Sequence, residues 1–235
     1  MLMRTVSLRV GLASLRPVGQ RLRMREAVTF GRPEADVTIA NNCFPVSARS
    51  VKIYTKTGDK GTSVTYSGER RPKCDAIFDA LGTSDELSSM IGHARSFMRV
   101  DQRFHEVEAE LRRIQCMLQD LQSSIATPQG APEGMLEKVK FDPDNIKYLE
   151  KRIDAHTERL PPLRNFILPG GGPAGSALQI ARCIARRAER RLIELTEQEP
   201  TEEAARIFLN RLSDYLFTAA RVSSQIEGGV ELIYK

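Results

Sequence analysis

The stretch "QRFHEVEAELRRIQCMLQDLQSSI", Gln102–Ile125, carries Phe104, Val107, Leu111, Ile114, Leu118, Leu121 and Ile125 at steps of three and four. Charged and amide side chains fill the gaps. That period belongs to an α-helix with one apolar stripe, and it runs too far to be a strand. Such a stripe needs apolar neighbours, and the chain supplies them on both sides. Upstream, from about Asp75, Ile77, Phe78, Leu81, Leu87, Ile91 and Ala94 repeat the pattern, with Gly82 inside as a place where a turn could loosen. Downstream, "TPQGAPEG" ends the Gln102–Ile125 helix. A third helix begins near Asp142, with Asp142 as N-cap and Pro143 at the first helical position. It carries Ile146, Leu149 and Ile153 as far as Pro161 and Pro162. A fourth spans about Ala174 to Thr196. The fifth opens after Pro200 with Thr201, Glu202 and Glu203 and closes at Gly228 and Gly229. Five long helices, short connections and almost no alternating pattern predict an all-α antiparallel bundle.

Composition narrows the function classes. The chain has 235 residues, 41% hydrophobic, with a formal charge of +5. Residues 1–50 hold eight Arg and no Lys against Glu26, Glu34 and Asp36, which accounts for the whole excess; residues 51–235 balance at 27 basic and 27 acidic. A folded part of zero net charge argues against nucleic-acid binding. Residues 1–25 contain six Arg and no acid, with Arg interrupting every apolar block, which is the composition of a mitochondrial transit segment. Residues 26–50 read as a linker or partly ordered arm, and 51–235 as the folded domain. No run of about 18 apolar residues marks a membrane span. Cys43, Cys74, Cys116 and Cys183 lack metal or CxxC spacing and fit a reducing compartment.

Chemistry concentrates in three places. "IYTKTGDKGTS", Ile53–Ser63, offers small residues with accessible backbone N–H groups and two Lys, a composition suited to an anion; Lys73 follows in "GERRPK". It lacks the spacing of a Walker A loop. In the fourth helix, Arg182, Arg186, Glu189 and Arg190 fall within an arc of about 100°. They could form a solvated face with intrahelical pairs or a cationic wall. In the fifth helix, Asn210, Ser213, Asp214 and Phe217 lie among Leu209, Leu212 and Leu216, a polar seam that must find partners if it faces inward. Gly170, Gly172 and Gly175 satisfy GxGxxG formally, but no alternation of strands and helices surrounds them. They read better as a loop allowing close backbone approach, beside the apolar Phe166, Ile167 and Leu168.

The segments "YTKTGDKGTS", "GERRPK", "LGTSDELSS", "FILPGG", "RCIARRAERR" and "LNRLSDYLF", in this order over residues 53–217, closely resemble the ATP:corrinoid adenosyltransferase family of mitochondria and propanediol-using bacteria. The resemblance implies a five-helix bundle, a homotrimer with active sites between subunits, and transfer of the 5′-deoxyadenosyl group of ATP to the cobalt of cob(I)alamin. Triphosphate is released and Mg2+ is required. It also implies ATP-binding roles for Thr55, Lys56, Thr57, Gly58, Asp59, Lys60, Gly61, Ser63, Lys73, Arg186, Arg187, Glu189, Arg190 and Asn210. Asp85 of one subunit would pair with Arg182 of the next, and Phe166 would occupy the lower axial side of the corrin. Expected partners are ATP, the reduced corrinoid, a corrinoid reductase and a cobalamin-dependent mutase. A non-catalytic adenosylcobalamin-binding chaperone on the same fold is the alternative.

Overall fold

The structure, a computed structural model, describes residues 54 and 56–234, which belong to a compact unit beginning at Lys52. The leader, the arm at 26–50, Cys43 and Thr55 lie outside the described residues. The chain opens with a hairpin of β1 (Thr62–Val64) and β2 (Arg70–Pro72), then α1 (Ala76–Ser96), α2 (His105–Ile125), α3 (Glu133–Val139), α4 (Asp144–Thr157), α5 (Gly172–Thr196) and α6 (Glu203–Ile226). The long helices are α1, α2, α4, α5 and α6.

Local chemistry explains the boundaries. The Asp75 carboxylate accepts the Ile77 N–H at 3.0 Å and caps α1. Asp142 does the same for the Asp144 N–H at 2.9 Å, so its capping role stands although regular helix begins one residue after Pro143. Gly82 does not loosen α1, which runs through it without a break. The seven-residue α3 was not expected; it buries no residue, so no apolar period announces it.

The bundle is built around α5, which packs most extensively on α6 and α1; α4 lies on α6 and α2 on α1. Ala174, Ala177, Ala181, Ala185 and Ala188 line the buried side of α5, small enough for neighbouring backbones to approach closely. Leu87, Ile91, Leu118, Leu178, Leu192 and Leu212 are fully buried around them, each worth about 2 kcal/mol of hydrophobic stabilisation. This narrow Ala-rich stripe leaves the rest of α5 free to carry charge.

The all-α expectation needs one correction, the two-stranded hairpin. Thr62 pairs with Pro72, Ser63 with Arg71 and Val64 with Arg70, and the Tyr66 N–H donates to the Ala126 carbonyl at 2.8 Å, tying the hairpin to the end of α2. Strands of three residues are too short to show alternation.

Beneath the apolar layer α2, α4 and α6 share a buried polar cluster. Glu110 Oε2 accepts from the Tyr215 hydroxyl and from His156 Nε2, each at 2.8 Å, and Arg152 stands against Oε1. The Arg159 guanidinium, which can only donate, meets His156 Nδ1 at 2.9 Å, so Nδ1 is the acceptor and Nε2 faces Glu110 as the donor. Burial first, and the Glu110 carboxylate second, push the Tyr215 phenol well above its ordinary value, so it stays a donor. Tyr215→Phe removes one charge-assisted bond and is expected to lower stability by about 1–2 kcal/mol. A urea midpoint unchanged in Tyr215→Phe would show that the bond contributes nothing net.

Candidate active site

The loop before β1 is held open by backbone geometry. Lys56 has φ 58°, an unusual value for a residue with a side chain, and the Gly61 N–H closes a turn on the Gly58 carbonyl at 3.2 Å. The Lys73 N–H donates to the Gly61 carbonyl at 2.9 Å, and a Cβ on Gly58 would stand 3.1 Å from Lys73 Nζ. Loop and lysine therefore form one unit, as the sequence suggested. Arg70, which carried no assigned role, braces it by donating to the Thr57 carbonyl at 3.3 Å and to Thr62 Oγ1 at 2.9 Å. Arg71 points the other way and binds Glu199 beyond α5 at 2.8 Å. The hydrogen bonds it donates, to Glu69 first and then to Glu199, hold its guanidinium further above its ordinary value. Lys60, Lys73 and Asp59 are exposed and make no side-chain ion pair or hydrogen bond among the described residues.

On α5 the predicted face exists, and its cations divide into paired and unpaired. Arg187 binds Glu86 of α1, and Arg191 binds Glu194 at 2.7 Å and lies 4.0 Å from Asp79. Glu189 accepts from Asn210 of α6 at 3.0 Å, so these two polar residues steady each other across helices. Arg190 donates only to the Arg186 carbonyl, at 3.2 Å, and the exposed Arg186 guanidinium has no partner among the described residues. Two guanidinium groups thus face solvent without a carboxylate to satisfy them. The inward polar seam on α6 needs correction: Ser213 is buried and donates to the Asn210 carbonyl at 2.9 Å, but Asn210 and Asp214 are exposed and Phe217 is half-buried. Helical rotation places the seam at the α5–α6 rim.

Toward the N-terminal end of α5 a cleft of about 480 Å³ is lined by Phe166, Arg182, Gln179, Phe217 and neighbouring loop residues. Arg182 Nε donates to Gln179 Oε1 at 2.8 Å, which aims the guanidinium along the cleft. Phe166 is 85% exposed, far outside the usual place for an aromatic ring. The glycine loop behind it serves close approach, as read from the sequence. Gly171 has φ 98°, and a Cβ there would lie 2.5 Å from Ser224 Cβ, while a Cβ on Gly172 would collide with the Glu227 carboxylate. That carboxylate accepts from the Ala174 N–H at 3.3 Å, so the positive end of α5 is already occupied by a side chain of the same protein.

The predicted residues therefore form two groups. The loop, Lys73 and β2 lie toward the C-terminal end of α5, and Phe166 with Arg182 lies toward the other. From Arg182 to Thr196 the rise is roughly 20 Å. Among the described residues Asp85, exposed on α1, has no partner, and Arg182 makes side-chain hydrogen bonds only to Gln179 and Cys183.

Comparison with known proteins bears on this arrangement. Residues 53–223 match the family model described as cobalamin adenosyltransferase. Human corrinoid adenosyltransferase MMAB is 51% identical over 187 residues, 79% of this chain and 74% of its own length. The Bacillus subtilis corrinoid adenosyltransferase is 40% identical over 185 residues, 79% of this chain and 93% of its own. A variant of the PduO-type ATP:corrinoid adenosyltransferase from Lactobacillus reuteri, solved with cobalamin and ATP, superposes with a TM-score of 0.73 at 37% identity, covering 78% of this chain and 99% of that one. Family-model match, sequence identity and shared fold agree over nearly all of the described residues, and the chain belongs to the cobalamin adenosyltransferase family.

Proposed function

We propose that this chain transfers the 5′-deoxyadenosyl group of ATP to the cobalt of a reduced corrinoid. The carrying observation is that Arg182 lines the Phe166 cleft while Arg186, one turn further along the same helix, presents a cation with no anionic partner among the described residues. Membership of the family, and the cobalamin and ATP bound to the Lactobacillus reuteri relative, support the same substrates here.

In the reaction cobalt(I) supplies an electron pair to the ribose 5′ carbon, the cobalt–carbon bond forms, and the carbon–oxygen bond breaks. Its electrons leave with triphosphate, so negative charge grows on the leaving oxygen. Cations already fixed around that oxygen stabilise the transition state without reorganising, which water cannot do. Arg186 and Arg190 suit this role through their planar fork; Lys56, Lys60 and Lys73 provide point charges, and the N–H groups from Gly58 to Lys60 can donate to phosphate oxygens. Thr55 is assigned to the same loop and Ser63, which lies in β1, to the same phosphate site, and Arg187, Glu189 and Asn210 hold the helix face in shape. Among the described residues no group of three or more His, Cys, Asp or Glu could cage a metal. Mg2+ would enter with ATP, held largely by phosphate and water oxygens.

The family resemblance implies a homotrimer with active sites between subunits, and the placement of the loop and the Phe166 cleft toward opposite ends of α5 supports that arrangement. The loop of one protomer then closes over the Arg face and cleft of another. In this arrangement Asp85 meets Arg182 of a neighbour. Asp85→Arg and Arg182→Asp should each cost activity at least tenfold and weaken assembly, and the double swap should recover part of both. Simple addition of the two losses, measured by turnover and light scattering, would argue against contact.

The transit-like composition of residues 1–25 and the likeness to mammalian relatives support the mitochondrial matrix as the compartment. There a corrinoid reductase would supply its substrate, and a cobalamin-dependent mutase would receive its product. The decisive assay is anaerobic incubation with cob(I)alamin and Mg-ATP. Adenosylcobalamin and triphosphate should appear in equal amounts. Tight adenosylcobalamin binding with no turnover would instead favour a chaperone, and release of diphosphate would exclude this chemistry.

A further inference from the structure

Arg221 of α6 is 6% exposed and joins two segments that reach the Phe166 loop from opposite directions. Its Nε donates to Glu231 Oε1 at 2.6 Å, and its Nη2 donates to Glu231 Oε2 at 3.1 Å and to the Pro161 carbonyl at 2.8 Å. Pro161 lies at the start of the loop that carries Phe166. Glu231 lies at the start of the C-terminal tail, whose backbone brackets Phe166: the Leu168 N–H donates to the Leu232 carbonyl and the Tyr234 N–H to the Phe166 carbonyl, both at 2.8 Å. Ile167 and Ile233 form the antiparallel bridge between them.

This bridge cannot hold itself. Phe166, Leu232, Ile233 and Tyr234 are all more than half exposed, so apolar burial contributes little, and isolated two-stranded pairing is marginal in water. The largely buried Arg221 fork is different: two bonds to one carboxylate fix direction as well as distance, and a third secures the far end of the loop. A lysine would bring its donors on a single nitrogen and could not reproduce the fork between Nε and Nη2.

We propose that Arg221 and Glu231 are positioning residues for the reaction: by tying the tail to α6 they hold the Phe166 loop against the cleft and set how fully the ring covers the lower face of the corrin. The inference rests on the reading of Phe166 as the group that excludes the lower axial ligand. Glu231→Ala keeps every residue of the cleft and loses only the tie, and Glu231→Gln keeps a hydrogen-bond acceptor.

The test combines amide hydrogen exchange with the electron paramagnetic resonance spectrum of cob(II)alamin bound with Mg-ATP, on the full chain with Phe166→Ala alongside. Glu231→Ala should raise exchange at Leu168 and Tyr234 at least tenfold with α5 and α6 unchanged. It should also lower the four-coordinate cobalt(II) fraction severalfold and slow turnover from cob(II)alamin about tenfold, while ATP affinity stays within twofold. Glu231→Gln should fall between. Unchanged exchange at Leu168 overturns the clamp, as does equal loss of ATP binding and turnover, which marks general destabilisation. If Phe166→Ala itself leaves the cobalt signal unaltered, the reading of Phe166 fails instead, and the exchange data still decide whether Arg221 holds the loop.

Discussion

Arg186→Ala is expected to lower kcat/KM for ATP about 10²- to 10³-fold, or roughly 3–4 kcal/mol of transition-state stabilisation, with the assembly intact. The size follows from the local charge pattern. Arg187 and Arg191 are neutralised by Glu86, Glu194 and Asp79, so their removal disturbs helix packing more than it changes the field at the site. Arg186 has no such partner among the described residues, and its charge is available to the departing triphosphate. The loss should fall mainly on kcat, because the charge it meets is greatest when the carbon–oxygen bond is breaking. Arg186→Lys should recover only part, since an ammonium keeps the charge but not the fork. A kcat/KM within twofold of the parent in Arg186→Ala would take this residue out of the site.

Phe166→Ala is expected to slow turnover from cob(II)alamin at least 10²-fold while changing ATP affinity less than threefold. Cobalt(II) with an axial oxygen or nitrogen ligand resists reduction, and an apolar ring against the lower face removes that ligand. The 85% exposure of Phe166 gives the prediction its force, because a ring contributing so little to the core can be deleted with little effect on folding. Measured together, ATP titration and coupled-reduction kinetics separate the two effects. Parallel loss of both would mean that Phe166 only shapes the cleft.

The five long helices were legible because each carries an apolar stripe of its own. Ile77, Leu87, Ile91 and Ala94 in α1, and Leu111, Ile114, Leu118 and Leu121 in α2, are all buried. The cap at Asp142 was legible for the same local reason, while the Asp75 cap was read only as the start of helical periodicity. The hairpin was not, since its strands are too short for a period. Nor was the Glu110, His156 and Tyr215 cluster, whose members are 46 and 105 residues apart in pairs with Glu110. Arg221 and Glu231 stand in no motif, and Asn210 looked like an inward residue. For Arg221 and Asn210 rotation about the helix axis, set by neighbouring helices, decided what the side chain touches; Glu231, in the tail, meets Arg221 only through the fold.

From sequence alone came the helical bundle, the cationic face of α5, the Thr/Gly/Lys loop and the family they resemble, because periodicity, composition and motif order are properties of neighbouring residues. Tertiary structure alone decided which of those cations are unpaired, that Lys73 lies beside Gly58, that Phe166 stands exposed in a cleft with Arg182, and that the tail is tied to α6. Those facts depend on distances between segments far apart along the chain, which only the packing of α5 against α1 and α6 determines.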